Sequence, residues 1–311
     1  MPRRRALIAT LLGCLLWVPA VAPGAAAASS PVPGYHAYVA LGDSYQADSA
    51  ILPGITTTFV PAGCAQVSYD YPHQVAAALG VADFKDATCG GAVSGSMTGP
   101  QPVLGGVNPP QFSRLDRNTD LVTVGIGGND LDLIGLIGRC LALLPLPTTT
   151  CPHDPMTDRI AAEQRVVEGV LAGIHQRAPR ARVLLVDYLA VFPEHGGCWP
   201  YVPISDQDMP YLHRVLVAVN TMLARAAAAD PWGTELVDTY TPSIGHDVCQ
   251  SPTVRWTEGL LPLSLGGGSG GRSPESWGTP GIAVPFHPNR AGADGQARAV
   301  LARVRAGAPG R

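Results

Sequence analysis

The chain carries two kinds of apolar pattern. Short continuous or β-branched runs, bounded by Gly, Asp and Asn, read as buried strands. They fall at 35–41, 84–88, 120–126, 182–188 and 233–237. Longer stretches place apolar residues every three or four positions and read as amphipathic helices. One covers 71–79, with Val75, Ala78 and Leu79 on one side; a second covers 158–177, with Ile160, Val167, Leu171 and Ile174. A third covers 206–228, with Leu212, Val215, Val219 and Leu223, and a closing helix covers 291–306. Residues 46–70 are polar and irregular, and 266–278 form a Gly-rich low-complexity loop. Strands alternating with helices predict an α/β fold, a three-layer α/β/α sandwich around a central parallel sheet. In such sheets the site lies outside the carboxyl ends of the strands. Gly-rich turns follow Leu41, Thr88 and Ile126, so all three are expected to open on one crevice.

The first residues change the picture of where the chain works. Arg3, Arg4 and Arg5 precede an apolar run of 13 residues, 6–18, and small residues at 25–28. That run is short for a bilayer span and reads as a secretory signal peptide over 1–28, leaving 29–311 as a single secreted domain. Leu11-Leu12-Gly13-Cys14 faintly resembles a lipoprotein cleavage box, but the apolar run continues past Cys14. Removing the three arginines from 21 basic side chains leaves 18 against 24 acidic ones, a formal net of −6. With one lysine, Lys85, and no basic cluster, nucleic acid is excluded as a partner.

Six cysteines remain after Ala28, and an even number in an exported chain implies disulfides. No C-x-x-C pair points to zinc. Of the 15 pairings six cysteines allow, joining sequence neighbours is the simplest: Cys64–Cys89, Cys140–Cys151 and Cys198–Cys249. Each bridge would be worth about 2–4 kcal/mol, mostly by restricting the unfolded chain.

Candidate chemistry sits on the turns. Gly42-Asp43-Ser44-Tyr45 ends the first strand and presents one hydroxyl. A serine is a weak nucleophile without a base. Gly127-Gly128-Asn129-Asp130 offers an amide donor at Asn129, and Cys89-Gly90-Gly91-Ala92 offers a bare backbone N–H at Gly91. Donors of this kind suit a developing oxyanion. The base must be one of eight histidines. His36, His175 and His213 lie in a strand or on helices and read as structural or surface groups. Pattern alone does not exclude His73, His153, His195 or His246. His287, in Val284-Pro285-Phe286-His287-Pro288-Asn289, sits on a proline-stiffened loop just before the last helix. That suits a base that must stay within hydrogen-bond reach. Gly267-Gly268-Ser269-Gly270-Gly271 fits G-x-S-x-G, but no strand precedes it.

These blocks, in this order over about 36–300, resemble the SGNH (GDSL-type) hydrolases, in the secreted actinomycete lipase and esterase branch. The resemblance implies an SGNH-type, flavodoxin-like fold. It makes Ser44 the nucleophile and His287 its base. The Ser44 and Gly91 N–H groups and the Asn129 side chain would form the oxyanion hole. The six-cysteine layout is similar to the three-disulfide pattern of that branch. Two departures stand out. Val284 occupies the position, three before the histidine, where many members carry Asp. Some members of the branch use a backbone carbonyl instead, so a carbonyl near Val284 is expected to hold the imidazole, with Asp247 as the rival. Gln46-Ala47-Asp48 follow Tyr45 where the family often has small residues and Gly.

The expected activity is a secreted serine esterase or lipase that hydrolyses carboxylic esters through an acyl-enzyme. It would act as a monomer on a small-molecule or lipid ester. No metal and no cofactor is expected, and a transient lipid-surface contact is allowed for. The alternatives are a polysaccharide O-deacetylase of the same fold and an exported binding protein without turnover. Leu260, Leu261, Leu263 and Leu265 suggest a greasy rim, and Trp199, Trp232, Trp256 and Trp277 a sugar groove.

Overall fold

A computed structural model describes residues 34–51, 54–142, 151–260 and 282–307. The N-terminal segment, the Gly-rich loop with its G-x-S-x-G match, Trp277 and Leu261, Leu263 and Leu265 lie outside the described residues.

Five strands make the central sheet: β1 (Ala37–Gly42), β3 (Asp83–Asp86), β6 (Leu121–Gly125), β7 (Arg182–Val186) and β8 (Glu235–Val237), in the order β3-β1-β6-β7-β8. All four pairings are parallel. Counting only these strands, the order is 2-1-3-4-5, that of a doubly wound sheet. The chain leaves β1 for one neighbour and returns on its other side to β6, so β1 borders the switch point where such sheets bind ligands.

The period of two in a strand divides the core into two layers. Val39 and Leu41 of β1, with Val122 and Val124 of β6, face α3 (Thr157–Arg177) and α4 (Met209–Ala229). Tyr38 and Ala40, with Leu184 and Val186 of β7, face α1 (Tyr71–Leu79) and α6 (Arg290–Arg305). The helices stand where the apolar spacing puts them. Asp70 caps α1 by accepting from the His73 N–H, and Gly80 ends it in the left-handed conformation. Asn289 caps α6 by accepting from Ala291 and Gly292.

Small elements complete the fold. Within the stretch read as irregular, β2 (Ala50–Ile51) pairs antiparallel with β9 (Ile282–Ala283). A hairpin joins β4 (Gln101–Val103) to β5 (Gly106–Asn108). Helices α2 (Leu133–Cys140) and α5 (Tyr240–Ser243) fall outside the stretches whose apolar spacing predicts a helix. The disulfides join Cys64 to Cys89, Cys140 to Cys151 and Cys198 to Cys249.

Candidate active site

β1, β3 and β6 are neighbours, so the turns that follow them lie side by side. Gly42 closes β1 with φ 141°, and a Cβ there would stand 2.4 Å from the Gly125 carbonyl oxygen. Only glycine lets the two strand ends approach so closely. The Gly125 carbonyl accepts from the Asp43 N–H at 3.1 Å, and the Gly42 carbonyl from the Cys89 N–H at 3.1 Å. The three turns are thus bonded to one another at the carboxyl end of the sheet.

Ser44 and His287 are both buried and meet there. Ser44 Oγ lies 2.7 Å from His287 Nε2. His287 Nδ1 lies 2.9 Å from the Pro285 carbonyl oxygen. A carbonyl only accepts, so the ring proton sits on Nδ1, and Nε2 is left as the acceptor for the serine hydroxyl. Burial pushes the His287 pKa down to about 4, against a smaller upward pull from the Pro285 carbonyl.

The carbonyl that holds the ring is therefore that of Pro285, not of Val284. The Val284 carbonyl accepts from the His287 backbone N–H at 3.1 Å, closing the 284–287 turn. The next carbonyl along faces the imidazole. Asp247 is engaged elsewhere: its carboxylate accepts from the Cys249 N–H at 2.9 Å and from Gln250 Nε2 at 3.0 Å.

The other histidines that pattern left open lie away from Ser44. His73 Nδ1 bonds Asp70 at 2.6 Å, and His153 Nε2 bonds Asp208 at 2.7 Å. His246 bonds the Val254 carbonyl, and His195 is exposed.

Asn129 and Ser44 line the same cleft. Asn129 Nδ2 donates to the Ala92 carbonyl at 2.8 Å. An amide nitrogen carries two hydrogens, so this bond orients the group and leaves the second N–H for the cleft. Gly91 precedes Ala92, is exposed and has φ 72°. It does not line the cleft itself but adjoins it through the Asn129–Ala92 bond. Among the described residues, neither the Ser44 N–H nor the Gly91 N–H donates to a protein acceptor.

Several groups around these residues carried no sequence signal. Tyr188, just past β7, donates from its hydroxyl to Asp43 Oδ2 at 2.6 Å and accepts from the Gly128 N–H at 2.8 Å. Its own backbone is clamped by Asn220 of α4, at 3.1 and 2.7 Å. Burial pushes the Asp43 pKa up to about 7, partly offset by the bonds from Tyr188 and the Tyr45 N–H. The position at the carboxyl end of β7 was the one available hint. Behind His287, Arg255 and Glu258 form a fully buried ion pair at 3.0 Å. Glu258 donates its N–H to the His287 carbonyl at 3.0 Å and accepts from the Phe286 N–H at 2.8 Å.

Two of the residues that follow Tyr45 serve the nucleophile turn. Gln46 and Asp48 are buried. Gln46 Oε1 accepts from the Tyr71 hydroxyl at 2.7 Å, and Asp48 Oδ2 from the Tyr71 N–H at 2.9 Å. They fasten the turn to α1 and do not shape the groove.

A cleft opens beside Ser44. Beyond its polar head its walls are apolar: Leu133, Ile134, Leu136 and Ile137 of α2, Val191 and Phe192 after β7, and Leu212, Val215 and Leu216 of α4.

The GDSL-like lipase/acylhydrolase family model matches residues 40–294. The chain belongs to that family. Lipase 2 of Streptomyces coelicolor is 36% identical over 234 residues, which cover 72% of this chain and 76% of that protein. An esterase of Streptomyces scabiei is 28% identical over 346 residues, covering 97% of this chain and 94% of that one. The fold is that of the extracellular lipase of Streptomyces rimosus, with TM-score 0.63 at 22% identity over 86% of this chain and 99% of that one. The phospholipase A1 of Streptomyces albidoflavus gives 0.62 at 20%, with the same coverage. Membership makes the protein a carboxylic ester hydrolase of the lipase and esterase kind.

Proposed function

We propose that the protein is an exported serine hydrolase that takes esters with an aliphatic acyl chain and turns them over through an acyl-enzyme on Ser44. The observation that carries this is the 2.7 Å contact between Ser44 Oγ and an imidazole whose other nitrogen is already bound to Pro285. His287 Nε2 takes the hydroxyl proton as Oγ attacks the ester carbonyl carbon. The carbonyl oxygen becomes an oxyanion beside the Ser44 and Gly91 N–H groups and the Asn129 amide. As the tetrahedral centre collapses, the C–O bond to the alcohol breaks and His287 returns the proton to the leaving oxygen. Water then repeats the sequence on the acyl-serine and releases the acid.

The apolar cleft favours acyl chains over acetylated sugars. Each methylene buried against α2 and α4 contributes up to about 0.8 kcal/mol. Export rests on the basic and apolar start of the chain.

A fluorophosphonate probe followed by peptide mapping tests the reading. Labelling at Ser44, lost in Ser44→Ala together with p-nitrophenyl ester hydrolysis, is expected. Undiminished hydrolysis by Ser44→Ala would end the proposal.

A further inference from the structure

Pro285 and His287 belong to one loop. Their bond orients the ring within that loop but does not fix the loop against Ser44. An Asp at 284, where many members of the family carry one, would belong to this same loop and would not supply that reference either. Here the reference comes from the nucleophile's own neighbour. Ser44 and Tyr45 are consecutive, and so are Phe286 and His287. The Tyr45 hydroxyl donates to the Phe286 carbonyl, while Ser44 Oγ meets His287 Nε2 at 2.7 Å. Two dipeptides from opposite ends of the domain are thereby closed into one ring by two side-chain bonds.

The rest of Tyr45 is fixed as a rigid support. Its ring lies 5.0 Å from the imidazole at 38°, and meets the Tyr188 ring edge-on at 5.1 Å. Its N–H donates to Asp43 Oδ1 at 2.9 Å, and its carbonyl accepts from Gln296 Nε2 of α6 at 3.2 Å. Phe286 has φ 63°, a conformation that bulky L-residues seldom take and that neighbours must over-determine. The Tyr45 hydroxyl on its carbonyl and Glu258 on its N–H are the two groups that do so.

We propose that Tyr45 is a positioning residue: its hydroxyl, through the Phe286 carbonyl, holds the His287 ring in register with Ser44. The inference rests on reading Ser44 and His287 as nucleophile and base. The β2–β9 ladder joins the same two segments further out, with the Val284 N–H on the Ser49 carbonyl at 3.0 Å. Removing the hydroxyl therefore leaves the segments together and releases only the register of the ring.

Tyr45→Phe tests this in the whole secreted chain. Its fluorophosphonate labelling rate and kcat on a p-nitrophenyl ester are expected to fall about tenfold, the order of one buried hydrogen bond, with KM within about twofold. The acid limb of the labelling rate should also move up towards the ordinary histidine range, because a loosened ring is reached by water. Gln296→Leu, which frees the Tyr45 carbonyl but keeps the hydroxyl, should give a smaller change in the same sense and stands in if Tyr45→Phe does not fold. Val300→Ala, in the α6 layer away from the cleft, should lower the melting temperature and leave labelling unchanged. Wild-type labelling rate and acid limb in Tyr45→Phe, or in Gln296→Leu where it stands in, would overturn the proposal. So would losses that merely match Val300→Ala at equal change in melting temperature. A wild-type chain that is not labelled at Ser44 would instead overturn the proposed function on which it rests.

Discussion

The Tyr188 hydroxyl donates to Asp43 Oδ2 at 2.6 Å and accepts from the Gly128 N–H at 2.8 Å, so one oxygen ties the turn before Ser44 to the turn that carries Asn129. A Cβ on Gly128 would stand 2.9 Å from that oxygen, which is why the approach needs glycine. In Tyr188→Phe, a buried carboxyl and a buried N–H each lose a partner. A group so stranded costs about 1–3 kcal/mol. Thermal melts should show a loss of that size. Steady-state kinetics should show kcat falling more than KM rises, because the displaced turn carries Asn129, the proposed oxyanion donor. An unchanged kcat alongside a lowered melting temperature would reduce Tyr188 to a purely structural role.

The buried His287 ring gives the pH dependence its sign. Its pKa is pushed down to about 4, so the ring stays neutral to lower pH than an ordinary histidine near 6.5 allows. The acid limb of fluorophosphonate labelling, and of kcat/KM, should therefore fall near pH 4 and leave activity intact at pH 5.5. Stability follows the same linkage. The unfolded chain takes up a proton near 6.5 that the folded chain refuses until about 4, so this group lowers stability as pH falls through that window. An acid limb near 6.5 in the free enzyme would show a ring that water reaches.

No carboxylate needs to act on His287 if the Pro285 carbonyl holds Nδ1. Asp247 bonds only Cys249 and Gln250 within its own turn among the described residues. Asp247→Asn should keep kcat within about threefold, the residual loss reflecting one weakened turn bond. A drop of about 10⁴, the scale seen when a triad acid is neutralised, would mean that the carboxylate reaches the imidazole during turnover.

The parts of the fold that sequence made legible are those set by local rules. The 71–79 helix is marked by Asp70 ahead of it and Gly80 behind it, and the strands at 121, 182 and 235 by their apolar runs. Ser44, Asn129 and His287 stood out because glycine turns and a proline-flanked loop mark strand ends and rigid approaches. What stayed hidden depends on distant chain segments. The Tyr188 hydroxyl acts on residues 145 and 60 positions away, and nothing local to it records those partners. The choice of Pro285 over Val284 turns on which carbonyl a four-residue turn consumes, a matter of backbone angles and not of residue type. Helix α2 follows a left-handed Asp132 and carries glycines at 135 and 138, so propensity alone argued against it.

The same helix α2 sets the final expectation, because it walls the cleft together with α4. Leu216 of α4 and Ile137 of α2 both border the open space beside Ser44. An acyl chain entering there exchanges water for these side chains, at up to about 0.8 kcal/mol per methylene. On the wild-type chain, kcat/KM for p-nitrophenyl esters should climb from acetyl to octanoyl by more than tenfold. Leu216→Trp would add volume on the α4 wall of that space and change none of Ser44, His287 and Asn129. It should leave acetyl ester hydrolysis within about threefold and cut octanoyl hydrolysis by tenfold or more. A flat series on the wild type, with acetyl as good as octanoyl, would favour a small acetyl ester as the substrate and leave the greasy wall without a catalytic role.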